Sequence, residues 1–156
     1  MMIGSGRVRG PDRQGSAGHG AGAGIVAAMA MSGFRLVTTQ LGLVQQVPPE
    51  AVLEQKAPQA VQRIPATLRP VFVELTHWSY GGLGGAAFGL LPGRLQDRRW
   101  SGPAYGVGAW MFFELLLAPL LGLRQAKQTR AVERMALAAD HVLYGVIVAS
   151  GHSSAR

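Results

Sequence analysis

Four long stretches of this chain are almost without charge, and that feature limits what it can fold into more than any other. Residues 14–34 carry no Asp, Glu, Lys or Arg, 70–93 carry only Glu74, 100–123 only Glu114, and 135–155 only Asp140. Each stretch is bounded by an arginine or a neighbour of one: Arg13 and Arg35, Arg69 and Arg94, Arg99 and Arg124, Arg134 and Arg156. At 1.5 Å rise per residue, about 20 helical residues cross the roughly 30 Å hydrocarbon layer of a bilayer. Each stretch is long enough. Buried helices of soluble proteins are shorter, about 10–14 residues, and keep a polar face, whereas in 101–121 only Ser101 and Glu114 are strongly polar. A soluble, glycine-rich helical domain is the alternative, and it fits these lengths poorly.

Composition agrees with a membrane address. Charged residues are 15% of the chain against a typical quarter, 22 of the 156 residues are glycine, and mean hydropathy is +0.18. With no cysteine, a disulfide scaffold, an iron–sulfur centre, a zinc ribbon and a cysteine nucleophile are all excluded. No P-loop, dinucleotide fingerprint or nucleophile motif is present, because the glycines from Gly81 to Gly89 lie inside an apolar stretch and do not follow a strand. The formal charge of +7 and pI near 11.1 raise the question of nucleic acid. Such binding needs the basic residues on one face, interleaved with aromatics. Here they are scattered over a tail and three loops, so they are read as membrane-flanking anchors and no nucleic-acid partner is expected.

The expected fold is all-α, a four-helix transmembrane bundle with helices near 18–40, 70–92, 101–122 and 133–150. A mobile basic tail over residues 1–16 precedes a single transmembrane helical domain over 17–152. The proline-punctuated segment between the first two helices, with Pro49, Pro58, Pro65 and Pro70, is expected at the membrane interface. An alternative reading takes Arg7, Arg9, Arg13 and the following apolar run as a secretory signal cleaved near Ala28-Met29-Ala30, but the run is too rich in glycine to make this the first choice. Basic residues do not orient the bundle: Arg7, Arg9, Arg13, Arg94, Arg98, Arg99 and Arg156 on one side balance Lys56, Arg63, Arg69, Arg124, Lys127, Arg130 and Arg134 on the other.

Within the stretches, Gly81, Gly85 and Gly89 recur every four residues and predict a helix face for close packing, as do Gly20, Gly24, Ala28 and Ser32. The pair His77-Trp78-Ser79-Tyr80-Gly81 and His141-Val142-Leu143-Tyr144-Gly145 reads as the trace of a duplicated two-helix unit or as chance. Counting residues inward from the flanking arginines puts Arg35, Glu74, His77, Glu114, Asp140 and His141 in one half of the bilayer. Isolated charges there are costly, so these six are expected to converge inside the bundle as a buried polar layer. The predicted partners are Arg35 with Glu74 or Glu114, and His141 with a carboxylate.

The runs HWSYGGLGGAAFG, WSGPAYGVGAWMFFELLLAPLLGL and DHVLYGVIVA resemble the YagU-like family of small bacterial inner-membrane proteins over roughly residues 70–150. The resemblance implies a multi-pass inner-membrane protein and carries no catalytic residue across.

The functional expectation is a small integral membrane protein with a structural or interaction role, more in keeping with a non-enzyme than an enzyme. Its partners would be the lipid bilayer and, as an option, further copies of the chain. One alternative is proton or small-solute permeation along the Glu/His/Asp layer. A second is a haem or metal protein: no cofactor is expected in the first reading, but His77 and His141 at matched depth could be axial haem ligands, and Glu74-x-x-His77 has di-iron spacing.

Overall fold

A computed structural model describes residues 13–43, 52–53, 55–122 and 130–153. Those residues are all-helical, with no strand among them. Four long helices follow one another: α1 (Arg13–Gln40), α3 (Arg69–Gly89), α5 (Ser101–Phe112) and α7 (Ala131–Ser153). Between them lie the short helices α2 (Pro58–Arg63) and α4 (Gly93–Gln96). Helix α5 runs on through a π-helical turn, Phe113–Leu117, into a last turn α6 (Ala118–Leu120). Pro119 explains that turn: it lacks an N–H and its ring crowds the carbonyl four residues back, and a local π adjustment re-satisfies the freed groups.

The ends of the helices follow from their sequence. After α1, Gly42 adopts φ +69°, a left-handed conformation that suits glycine, and the Leu43 N–H bonds the Thr38 carbonyl at 2.9 Å while Gly42 bonds Thr39. This is a Schellman stop. At the start of α7, the Glu133 carboxylate accepts from the Arg130 N–H at 3.1 Å, the reciprocal arm of a capping box. Gln96 is buried because its amide caps α3, donating to the carbonyls of Phe88 and Gly89 at 2.8 and 3.0 Å.

Consecutive long helices run antiparallel and form two hairpins, each closed by a glycine seam. In the first, a Cβ built on Gly85 would fall on the Gly20 carbonyl, and one built on Gly24 would fall on that of Gly81. The predicted face of Gly81, Gly85 and Gly89 therefore meets the predicted small-residue face of α1. In the second hairpin, Gly102 and Gly106 of α5 pack on Gly145 and on the backbone at His141 and Val142 of α7. Helix α1 also packs along α7, while α3 and α5 make little contact with each other. The small core of Ala27, Met31, Phe88, Tyr144 and Val148 sits where the two hairpins meet.

Some expectations need correction. Helix α1 begins at Arg13, before the expected 18, so residues 13–16 are helical and not part of a tail. The rest of the tail, and residues 44–51 of the expected interfacial segment, fall outside the described residues. Two helices, over Ser16–Gln40 and Ser101–Leu120, are long and apolar enough to cross a membrane by length and composition. Helices α3 and α7 do not reach that mark, because Glu74, His77 and Ser79 in one and Glu133, Arg134, Asp140 and His141 in the other lower their average.

Candidate functional site

The two hairpins pack tightly at the end where α1 and α5 begin and splay toward the end where they finish. At the tight end the crossings are made by glycines against glycine, backbone or the small side chains of Ala23, Ala28 and Ala149, with Ile25 against Gly82. One turn further, larger side chains stand between the helices: Met31 and Arg35 from α1, His77 from α3, and Asp140 and His141 from α7. They line a cavity of about 670 Å³ that lies between α3 and α5 and is floored by α1 and α7.

Arg35 is the centre of the polar groups. It is only 5% exposed, and its Nε stands 3.9 Å from Asp140 Oδ2. Its Nη2 donates to the His77 ring, 2.9 Å from Nδ1, so the ring nitrogen facing it is the one without a proton. The same Nη2 donates to Ser32 Oγ at 3.2 Å. Ser32 Oγ donates in turn to Glu74 Oε2 and accepts from Trp78 Nε1 at 3.3 Å. One hydroxyl thus links an arginine, a carboxylate and an indole from two helices. His141 Nδ1 lies 2.8 Å from the Leu137 carbonyl; a carbonyl only accepts, so Nδ1 carries the proton and Nε2 is left as the acceptor.

Arg35, His77, Asp140 and His141 line one cavity and Glu74 is joined to Arg35 through the Ser32 hydroxyl, but none of the predicted pairings is among the direct contacts of the described residues: Arg35 meets Glu74 only through that hydroxyl, and its ion pair is with Asp140. Glu114 lines the cavity yet pairs with Arg134, Oε1 to Nε at 3.4 Å, and does not reach Arg35. His141 bonds a backbone carbonyl and not a carboxylate. Glu114 stands at the start of the π-helical turn Phe113–Leu117, beside the first turn of α7, where Arg134 meets it.

At the inner end of the cavity two tyrosines tie the helices together. Tyr105 donates from Oη to the Gly84 carbonyl and Tyr144 to the Gly81 carbonyl, each at 2.6 Å. Beyond them Phe88, 1% exposed, packs its ring edge-on to Tyr105 with centroids 5.1 Å apart.

Among the described residues, two buried side-chain polar atoms have no hydrogen-bond partner, Asp140 Oδ1 and Trp110 Nε1, and both residues line the cavity. Neither Trp110 nor the bridging Ser32 and Trp78 stood out as site residues in the sequence. The small-residue spacing of Ser32 in α1 was the one available signal for its place on the packed face.

Comparison with protein-family models, with curated proteins and with solved structures finds no match. The chemistry of the site therefore rests on its own geometry. Among the described residues, no group of three or more His, Asp or Glu could hold a metal ion. Of the two histidines considered as haem ligands, His77 already turns its acceptor nitrogen to the Arg35 guanidinium, a cation that opposes a metal at the same nitrogen. Glu74 of the Glu-x-x-His spacing is directed to Ser32.

Proposed function

We propose that this chain is an integral membrane protein whose four long helices cross the bilayer, and that its role is structural or interactive, with the Arg35 cluster fixing the register of the two hairpins. The observation that carries this reading is the outward face of the helices. Val26, Leu36 and Val37 of α1, Leu75 and Leu83 of α3, Met111 and Phe112 of α5 and Leu115 of the π-helical turn after it, and Met135 and Val146 of α7 are all exposed. A soluble monomer rarely shows contiguous apolar patches of more than a few hundred Å². A bilayer covers such a belt.

The polar residues that lower the average hydropathy of α3 and α7 support the same reading, because His77, Asp140 and His141 line the internal cavity. Intramembrane charges face the bundle interior and pair there. Trp100, 58% exposed at the loop before α5 with the Arg98 guanidinium 5.6 Å from its ring centroid, suits a membrane–water interface. The resemblance of residues 70–150 to YagU-like proteins implies the same inner-membrane address. A through-path for protons or solutes has less support, since the cavity ends at Tyr105, Tyr144 and Phe88.

The test is extraction of membranes with alkaline carbonate. The chain is expected to stay in the pellet and to be released by detergent; release into the carbonate supernatant contradicts the reading.

A further inference from the structure

The two hairpins are built alike: α1 on α3 and α5 on α7, each joined by glycines, each with a His four residues before a Gly in its second helix. Exchange of the hairpins would map the α1–α7 contact onto an α5–α3 contact. The first of these is closed; the second is the cavity. Its volume of about 670 Å³ falls in the roughly 300–1,000 Å³ range of small-molecule sites.

Its polar groups say what would fit. Arg35 stands against Asp140, and Glu114 against Arg134, so the charges around the cavity are compensated and favour an uncharged guest over an ion. Asp140, whose side chain is 2% exposed, has an acceptor, Oδ1, with no partner, and Trp110 has an N–H donor with none. His141 Nε2 adds a second acceptor on the same helix as Asp140. Leaving such groups unmet costs free energy, and a guest with hydroxyls, each able to donate to a carboxylate or accept from an indole, would meet them. The walls are aromatic: Tyr80, Tyr105, Trp110, Phe113 and Tyr144 suit a flat ring. The gap lies between α3 and α5, so in a bilayer it faces lipid and admits an apolar tail.

We propose that this cavity is a binding site for an uncharged lipid with a hydroxylated aromatic ring, of the quinol class, its ring hydroxyls meeting the unpartnered polar groups of Asp140 and Trp110. The route from the bilayer rests on the membrane reading above; the site itself does not.

The test is the helical melting temperature of the detergent-purified chain, followed by circular dichroism at 222 nm, as decylubiquinol is added under anaerobic conditions. Binding to the folded state raises that temperature by mass action, so a saturable rise is expected. Asp140→Asn should weaken the apparent affinity about tenfold, the loss expected for a hydrogen bond to a charged group. Gly108 lines the cavity, and a Cβ there meets nothing within 4 Å, so Gly108→Phe fills the space without a backbone clash and should abolish the rise. If Asp140→Asn does not fold, Gly108→Phe decides alone. The proposal is overturned if the parent shows no saturable rise, if Gly108→Phe responds like the parent, or if decanoate, with its charged head, acts as well as the quinol. Each of these results leaves carbonate extraction unaffected, so failure of the site and failure of the membrane placement are separable.

Discussion

The guanidinium of Arg35 on α1 and the carboxylate of Asp140 on α7 face each other at 3.9 Å, with side chains 6% and 2% exposed, and so tie the first hairpin to the second. Breaking a buried pair by removing one partner leaves an uncompensated charge, at about 3–5 kcal/mol. Arg35→Met is expected to lower stability in detergent by that order. The double variant Arg35→Met/Asp140→Leu should recover most of the loss, because neither charge remains. Thermal melts of the two singles and the double check this; a double variant as unstable as the singles combined contradicts it.

Gly85 sits where a Cβ would fall on the Gly20 carbonyl, whereas Gly18 and Gly108 have nothing within 4 Å. Gly85→Ala should therefore force the α1–α3 pair apart and cost about 1–3 kcal/mol, the usual scale of overpacking. Gly18→Ala and Gly108→Ala should be neutral or slightly stabilising, since alanine is the better helix former. Melting temperatures of the three variants rank them.

Glu114→Leu separates the observed pairing from the expected one. Its partner Arg134 has a side chain 49% exposed, and pairs of that kind are worth about 0–1 kcal/mol. The variant should melt within a few degrees of the parent. A drop matching that of Arg35→Met would restore the Arg35–Glu114 pairing.

Tyr144→Phe removes the 2.6 Å bond to the Gly81 carbonyl that fastens α7 to α3. The expected loss is about 0.5–1.5 kcal/mol. Tyr105→Phe should resemble it on the α5 side. Amide hydrogen exchange at Gly81–Gly85 should quicken in both variants.

What could be read from the sequence was depth along each helix, and what could not was rotation about it. Counting from flanking arginines placed Arg35, Glu74, His77, Asp140 and His141 at one level because rise per residue is constant in a helix. Glu114 was counted to the same level and lines the same cavity, but the side chain it meets, Arg134, depends on rotation about the helix, which counting does not give. The start of α5 at Ser101 was legible from the sharp change from Arg98-Arg99 to an apolar run. That of α7 lies at Ala131, two residues before the expected start at Glu133, because Glu133 accepts the Arg130 N–H and so stands in the first turn and not at its beginning. The Gly81, Gly85, Gly89 seam was legible as spacing. The cavity was not, because it arises from the separation of α3 and α5, which no single helix encodes.

The most direct measurement for the four-span account uses the absence of cysteine in the chain. Single cysteines placed at Leu36, Leu83, Leu115 and Val146, all exposed on the helices, and at Gln62 and Asp97 in the connections, are treated with a membrane-impermeant maleimide in intact vesicles and again after detergent. The account predicts that the four helix positions stay unlabelled in vesicles of either orientation. Gln62 and Asp97 should label from opposite sides. Labelling of Leu83 or Val146 in intact vesicles, or of Gln62 and Asp97 from the same side, would contradict it.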